Sequence, residues 1–208
     1  AQTAGRGRRG RSWLSPRGAG LYASVVFRPP VLSPVLTLMS GVALAEAIRC
    51  RVGLAVVLKW PNDLVVKRGV NRKLGGILAE AGASPTGLEY VVVGFGINLL
   101  AAANLSALSD KATSIESECG EVVPLADLLV EVLAALAVWR ATMVDGRMNA
   151  ILSRWRTLSP SSIASPVELD GPSGVRRGTT AGIDADGALL VRVNGTTERI
   201  VSGEVRWV

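Results

Sequence analysis

The sequence predicts an α+β protein, in which a mixed β-sheet with flanking helices is followed by a small β-barrel. Two observations indicate the mixed sheet with its helices. Short apolar segments separated by Gly and Pro occupy residues 21–93, and a long amphipathic helix follows from residue 124. The third observation is a series of short strand-like segments after residue 160. We therefore predict two domains, residues 1–160 and residues 161–208.

Turn-forming and capping residues set the elements of the larger domain. Ser33 followed by Pro34 is typical of a helix start, and Gly53 is typical of a helix end, so a helix is predicted between them. Gly, Pro, Asn and Asp clusters predict the turns between strands. The predicted ranges are the helix to about residue 51, turns at 60–63, 69–71 and 82–87, and strands at 21–27, 55–59, 64–67, 73–80 and 89–93.

The second half of the chain has a less even pattern. Residues 100–123 predict a loop with one short helix near Thr113. From Pro124 onward, apolar residues recur at the spacing of one helix face, and a second helix is predicted over 145–158. The dipeptide Asn194-Gly195 predicts a hairpin. The apolar helix positions are Leu125, Leu128, Leu129, Val132, Leu133, Leu136 and Trp139, and the C-terminal strands are predicted at 167–169, 176–183, 188–193 and 197–201.

Positive charge is confined to the beginning of the chain. The 23 basic and 17 acidic residues give a net charge of +6. No Asp or Glu precedes Glu46, whereas residues 1–45 contain six Arg, so residues 46–208 hold 17 residues of each sign. The chain is thus a neutral body with one cationic segment, which differs from a protein that coats nucleic acid over its whole surface.

The composition also excludes several kinds of chemistry. The chain contains no histidine, which removes the commonest general base and the commonest metal ligand. Cys50 and Cys119 lie in no metal-ligand or disulfide spacing. The apolar stretches at 31–48 and 124–140 are interrupted by Pro or acidic residues, so neither predicts a transmembrane helix. We expect no resident metal, no signal peptide and a cytoplasmic location.

The cationic segment is Gly5-Arg6-Gly7-Arg8-Arg9-Gly10-Arg11. Its spacing matches GxGxxG and nearly matches a P-loop, but a strand follows it instead of preceding it, and no acidic residue occurs until Glu46. For the segment alone, a solvated tail that touches nucleic acid nonspecifically is the simplest alternative. Since the segment runs through Trp13 and Pro16 directly into a buried strand, we favour a tethered loop that can wrap around an anion.

Three further segments place glycine or lysine at strand ends. Lys59-Trp60-Pro61-Asn62-Asp63 predicts a tight polar turn between two strands. In Lys73-Leu74-Gly75-Gly76-Ile77-Leu78 a strand would place Lys73 and Gly75 on one face, and Gly76 would open space on the other face. In Gly94-Phe95-Gly96-Ile97-Asn98 the paired glycines let a ligand approach the backbone closely. Each segment taken alone is better explained as an ordinary turn or strand end.

Together, and in this order, the four segments resemble the biotin protein ligase family. The matching pieces are GRGRRGRSWLSPRGAGLY at 5–22, KWPNDL at 59–64, KLGGILAE at 73–80 and GFGIN at 94–98. The C-terminal strands are similar to that family's small SH3-like domain. The resemblance covers essentially all of the chain and implies a sheet of the class II synthetase and biotin ligase type.

The resemblance implies an enzyme that condenses biotin with ATP to biotinyl-5′-AMP, then transfers biotin to one lysine of a biotin carboxyl carrier domain. Mg²⁺ would enter with ATP. Attack of a carboxylate on the α-phosphate needs positioning and electrostatic stabilisation more than it needs histidine. The composition is therefore compatible with this reaction and poorly suited to Ser-His-Asp catalysis. We expect a monomer or weak homodimer, with no nucleic-acid or membrane partner.

The resemblance also implies roles for individual residues. Lys73 is expected where the biotin carboxylate meets the α-phosphate, and Arg8 on the carboxylate or the adenylate phosphate. Lys59 is expected as a second cation of the site, and Asp63 to orient its neighbours or a Mg²⁺-bound water. The implied biotin-binding residues are Gln2, Gly5, Arg6, Gly7, Arg8, Lys73, Gly75, Gly76, Gly94 and Gly96, and the implied ATP or adenylate residues are Arg11, Trp13, Asn62, Lys73 and Asn98.

One departure and two alternatives stay open. The family usually carries a Ser-Thr-Asn segment on a strand upstream of the arginine loop, and we expect this strand, and any helix-turn-helix before it, to be absent from a chain that begins at Ala1. A lipoate-protein ligase has a related fold and chemistry, although the arginine loop favours biotin. A nonenzymatic nucleic-acid-binding module leaves the KWPND and KLGGIL segments without a role.

Overall fold

The computed structural model describes residues 1–28, 33–85, 87–101, 111–171, 174–201 and 205–208. Ten strands and four α-helices occur in these ranges, with short 3₁₀ turns at Arg8–Gly10 and Pro160–Ser162. In chain order they are β1 (Gly20–Phe27), α1 (Leu36–Val52), β2 (Val56–Lys59), β3 (Asp63–Arg68), β4 (Val70–Ser84), β5 (Gly87–Asn98), α2 (Ile115–Cys119), α3 (Leu125–Val144), α4 (Met148–Leu158), β6 (Ile163–Gly171), β7 (Gly174–Ile183), β8 (Leu189–Val193), β9 (Thr196–Ile200) and β10 (Val205–Trp207).

Strands β1–β5 form one sheet in the order β1-β5-β4-β3-β2. Every described ladder in it is antiparallel, and its parallel contact is the isolated bridge between Lys73 and Ala112. Strands β6–β10 form a second antiparallel sheet in the order β10-β6-β7-β8-β9. The predicted α+β class, with a sheet and helices followed by a C-terminal β unit, is confirmed.

Helix α1 is the centre of the hydrophobic core. It is apolar around most of its circumference, because it packs against the first sheet on one side and against α3 and α4 on the other. Gly41 faces that sheet, where a Cβ would make ordinary contacts with Leu58 and Ile77 at 3.5–3.7 Å. The helix ends where predicted, at Gly53, which adopts a left-handed φ of 66°. Helices α1, α3 and α4 thus lie on one face of the sheet and leave the opposite face open to the N-terminal loop.

Several predicted boundaries shift in the structure. Helix α1 begins at Leu36 instead of residue 34, because Ser33 and Pro34 form a preceding turn in which the Ser33 hydroxyl accepts from the Val35 N–H. The predicted turn at 82–87 is wrong in extent, since the β4–β5 ladder continues to the pair Ser84 and Gly87. Thr86 of the predicted turn lies outside the described residues. Residues 102–110 of the loop predicted over 100–123 also lie outside them.

Helix α3 buries only part of its predicted apolar face. Leu128, Val132 and Leu136 are buried, whereas Leu125 and Leu133 are exposed. In the second sheet, the predicted Asn194-Gly195 turn joins β8 to β9, and both residues adopt the positive φ that such a hairpin requires. Strand β10 was not predicted. None of the helices in the described part of the chain combines the length and apolar character that crossing a membrane requires.

Candidate functional site

A row of directly opposed residues crosses the open face of the first sheet. Tyr22 pairs with Gly96, Gly96 with Gly76, Gly76 with Asp63, and Asp63 with Lys59. Because opposed residues of an antiparallel sheet share a face, two adjacent glycines leave a bare floor beside the Asp63 carboxylate. Sequence alone placed these residues in separate motifs, whereas the strand register brings them into one line.

Trp13 lies on this glycine floor. A Cβ added at Gly96 would lie 2.7 Å from atoms of the Trp13 indole, so only glycine permits the contact. The Lys73 ammonium lies 5.4 Å from the ring centroid of Trp13, and a Cβ at Gly76 would lie 3.2 Å from the same ammonium. The Trp13 Nε1–H is buried without a hydrogen-bond partner among the described residues. The floor, the indole and the lysine therefore form one compact unit.

The arginine segment folds as a short hairpin over the sheet, as the tethered-loop hypothesis predicted. Gly7 N–H donates to the Arg11 carbonyl at 2.6 Å, and Trp13 N–H donates to the Gly5 carbonyl at 2.8 Å. The Arg6 guanidinium holds the loop to the sheet by an ion pair of 2.9 Å with Glu80 on β4. This geometry excludes the GxGxxG and P-loop interpretations, since the segment leads into strand β1 and not into a helix.

Asp63 is the negative centre of a group of cations. Its carboxylate accepts an ion pair from Lys73 at 2.5 Å, and the two side chains are 25% and 35% exposed. Lys73 is oriented by its own backbone, which bonds to Lys111 and Thr113 in the segment before α2. A bulge between β3 and β4 next to Leu64 changes the register immediately beside Lys73.

The two further cations near Asp63 have lowered pKa values. For Arg8, burial lowers the pKa of the guanidinium and repulsion from Arg9 and Arg11 lowers it further, while Asp63 opposes the shift. For Lys59, burial again lowers the pKa, Asp63 raises it, and repulsion from Lys73 lowers it. One carboxylate thus faces more positive charge than it neutralises, and the site favours an anionic ligand.

A crevice of about 530 Å³ adjoins this group. Arg8 lines it from the arginine hairpin, Asn62 from the β2–β3 turn and Leu78 from β4. Asp186 and Arg199 line it from the C-terminal unit. Arg8 Nη1 lies 3.4 Å from the Asn62 Oδ1, and the Asn62 amide donates to the Ile77 carbonyl at 2.6 Å. A ligand with an extended, partly anionic body can therefore lie along the edge of β4 with its charged part at Arg8.

The remaining predicted residues lie in two groups. Gln2, Gly5 and Gly7 form the base and neck of the hairpin, where the Ser15 hydroxyl donates to Gln2 Oε1 at 2.8 Å. Arg6 points to Glu80 at the surface with 70% of its side chain exposed, away from the Asp63 group. The second group contacts other parts of the fold. Gly75 packs against the Gly96 carbonyl, and Gly94 lies near Ser24. Arg11 closes the hairpin, and the buried Asn98 side chain donates to the Thr113 carbonyl at 2.9 Å.

Sequence reasoning missed contacts made by the C-terminal sheet. Trp207 of β10 lies under the Lys59 ammonium, 4.7 Å from ring centroid to nitrogen, so this lysine is not directed at the ligand floor alone. The Trp60 indole donates to the Gly187 carbonyl at 3.0 Å. No sequence signal links these residues, because they are more than 100 positions apart. Within the described ranges, no group of three or more Cys, Asp or Glu residues is placed to hold a metal ion.

The fold and the site define a class of protein in which an arginine hairpin covers a glycine floor and a Lys–Asp pair, and the positive charge of this site favours an anionic ligand. The comparisons with known proteins give the class. Residues 1–98 match the Biotin/lipoate A/B protein ligase family, and residues 165–206 match the Biotin protein ligase C terminal domain. The chain belongs to the biotin protein ligase family.

Individual relatives extend this result over the whole chain. The biotin–[acetyl-CoA-carboxylase] ligase of Paracoccus denitrificans is 32% identical over 212 residues, which cover 98% of this chain and 86% of that protein. The bifunctional ligase/repressor BirA of Bacillus subtilis is 31% identical over 210 residues, and the chain spans 63% of its length. The structure of biotin protein ligase from Aquifex aeolicus in complex with biotin and ATP matches 100% of this chain and 85% of that chain, with a TM-score of 0.84 and 27% identity.

Proposed function

We propose that this chain is a biotin protein ligase, which activates biotin with ATP to biotinyl-5′-AMP and transfers biotin to a lysine of a biotin carboxyl carrier domain. The observation that carries the proposal is the Lys73–Asp63 pair beside the glycine floor, with Arg8 and Lys59 adding uncompensated positive charge. The similarity to the Aquifex aeolicus structure, which contains biotin and ATP, supports it.

In the first step, one carboxylate oxygen of biotin forms a bond to the α-phosphorus of ATP. The bond from that phosphorus to the oxygen of the β-phosphate breaks, and pyrophosphate leaves with the electron pair. Two anions must approach each other, so the chief requirement is positive charge at the junction. Lys73, held by Asp63 and by its backbone bonds, supplies it at the floor, and Arg8 supplies it from the hairpin.

In the second step, the amine of an acceptor lysine attacks the acyl carbon of the adenylate. The bond from acyl carbon to phosphate oxygen breaks, AMP leaves with the electron pair, and the nitrogen loses one proton to solvent water. We assign to Asp63 the role of hydrogen-bonding this amine, and its strand position opposite Gly76 on the floor supports the assignment. Mg²⁺ enters as part of the ATP substrate and neutralises its phosphates.

The hairpin is proposed to close over biotin and to retain the reactive adenylate. Trp13 and the floor glycines Gly76 and Gly96 would contact the apolar part of biotin, while Asn62 and Arg11 would lie toward the nucleotide. The division at residue 160, the acceptor domain and a cytoplasmic location belong to the same proposal. They are supported by the family membership and by the matching region at residues 165–206.

The decisive experiment is exchange of labelled pyrophosphate into ATP, with biotin, with lipoate, and with neither acid. We expect exchange with biotin alone. Exchange with lipoate at a similar rate would contradict the choice of substrate, and exchange without either acid would contradict the reaction. Transfer is measured separately, by retention of label on an isolated carrier domain and on the same domain with its acceptor lysine changed to arginine, which must stay unlabelled.

A further inference from the structure

The turn that carries Asn62 and Asp63 is held on both sides by the C-terminal sheet. On one side, the Trp60 indole N–H donates to the Gly187 carbonyl at 3.0 Å, and Trp60 is buried. On the other side, the Lys59 ammonium rests over the Trp207 ring at 4.7 Å. Lys59 before the turn and Trp60 at its first position therefore contact two separate parts of the C-terminal unit, β10 and the β7–β8 turn.

The Gly187 carbonyl belongs to a rigid turn between β7 and β8. One oxygen of Asp184 accepts from the N–H groups of both Asp186 and Ala188, at 2.9 Å each, and Arg199 bonds to the other. Gly187 has a φ of 82°, and a Cβ at this position would lie 2.6 Å from Leu38 of helix α1. This turn thus fits closely against the first sheet's core helix and presents a fixed acceptor to Trp60.

Trp207 is fixed just as firmly. It pairs with Val167 across the β10–β6 ladder, and its indole N–H donates to the Ser161 carbonyl at 3.2 Å. One ring face therefore stays turned toward Lys59. A cation over an indole face is favoured electrostatically, and more so where it is partly removed from water, as Lys59 is.

Strand pairing connects the contacts of Lys59 and Trp60 to Asp63 and Lys73. Lys59 and Asp63 are opposed residues of the β2–β3 hairpin, and Asp63 bonds to Lys73. Any rotation of the turn therefore moves the carboxylate that orients Lys73. The Asn62 carbonyl also accepts from Ile77 N–H, which ties the turn to the free edge of β4 beside the crevice.

We propose that the C-terminal sheet is a brace for the catalytic turn, in which Trp207 and Gly187 are positioning residues that hold Lys59 and Trp60, and through them Asp63. The inference rests on the proposed function. It gives the C-terminal sheet a role in the adenylation step that needs no contact between that sheet and biotin.

The test uses variants of Trp207 that separate its two contacts. Trp207→Phe keeps an aromatic face for Lys59 but loses the bond to Ser161, whereas Trp207→Leu loses both. We expect Trp207→Leu to lower kcat of biotin-dependent pyrophosphate exchange about tenfold, and Trp207→Phe to stay within about threefold of the parent chain. Arg176→Ala, which removes a surface ion pair elsewhere in the same sheet, is the matched control and should have no effect.

A positioning role is distinguished from a purely structural one by a double-variant cycle. In a Lys59→Met chain, Trp207→Leu should cause no further loss, because the ring then has no cation to hold. An equal loss in the parent and Lys59→Met chains would overturn the brace. So would equal activity of Trp207→Leu and Trp207→Phe.

A second readout does not depend on catalysis. Hydrogen exchange of the peptide covering residues 56–66 should be faster in Trp207→Leu and in Trp60→Phe, and unchanged in Trp207→Phe and Arg176→Ala. If the parent chain shows no biotin-dependent exchange of pyrophosphate, the proposed function fails while this measurement still decides the brace. Unchanged protection in Trp207→Leu and Trp60→Phe would overturn it.

Discussion

Replacing Lys73 by alanine removes the centre of the candidate site. The Lys73 ammonium bonds to Asp63 at 2.5 Å and lies over the Trp13 ring at 5.4 Å. On the proposed function, the variant loses the cation at the junction of the two reacting anions. It also leaves Asp63 without its direct ion-pair partner. No other lysine of the described part of the chain makes this pair of contacts.

The structure separates the effect on stability from the effect on rate. The ion pair is roughly one third exposed, so its net contribution to the free energy of unfolding is about 1 kcal/mol. In a chain of this size that corresponds to a fall in Tm of about 2–4 °C. Loss of a preorganised charge that stabilises a transition state costs about 10²–10³ in kcat. The rate effect should thus far exceed anything that partial unfolding can explain.

The assay is biotin-dependent pyrophosphate exchange, with Tm measured on the same preparations. Lys67→Ala is the matched control, since Lys67 is an exposed lysine on the same β3–β4 hairpin. Lys73→Arg keeps the charge, but its larger planar head must fit between Trp13 and Gly76, so we expect it to recover less than a tenth of the parent rate.

A folded Lys73→Ala chain that keeps more than about a tenth of the parent kcat would refute this reasoning. So would a loss of similar size in Lys67→Ala, because the effect would then not belong to the site.

Three other perturbations follow from the same geometry. Gly96→Ala should raise the KM for biotin at least about tenfold by displacing the indole above it, whereas Gly94→Ala, whose Cβ would meet only ordinary contacts at 3.5 Å, should change it little; equal effects would contradict the glycine floor. Arg8→Ala should reduce pyrophosphate exchange more than Arg6→Ala, because the Arg6 side chain is paired at the surface, and the reverse order of rates would count against an anion site at Arg8. Burial lowers the pKa of Lys59, so between that pKa and the ordinary value of 10.5 the unfolded chain binds more protons than the folded chain. In urea unfolding, the parent should therefore gain stability relative to Lys59→Met as the pH rises through this window. Parallel curves of stability against pH would exclude the pKa shift.

Local sequence signals predicted most of the first sheet. Gly53 and the turn at 60–63 were predicted correctly, because glycine in a left-handed conformation and a Pro-Asn-Asp turn are decided by neighbouring residues. The arginine hairpin was also predicted as a tethered loop. The length of β4 was underestimated, since Gly82 and Pro85 indicate a break, whereas the cross-strand ladder to β5 continues past Gly82 with only a shift in register.

Packing against other elements decided what local signals left open. The predicted face of α3 includes Leu125 and Leu133, and both are exposed. The part of that face that the other elements cover is the narrower stripe of Leu128, Val132 and Leu136. In the same way, the sequence alone does not distinguish Arg6 from Arg8, since both lie in the same glycine-arginine segment. Only the fold of the hairpin turns Arg6 outward to Glu80 and leaves Arg8 at the crevice.

The sequence by itself determined the class of protein, because the four motifs are local and their chemistry is carried by residue type. The same motifs predicted which residues form the site. Tertiary structure alone decided how those residues meet. The strand register places Gly96, Gly76, Asp63 and Lys59 in one row, and the second sheet brings Trp207 and Gly187 to the turn at Lys59 and Trp60. Such contacts join residues far apart in the chain, so they depend on how strands pair and sheets pack, which no local pattern of residues specifies.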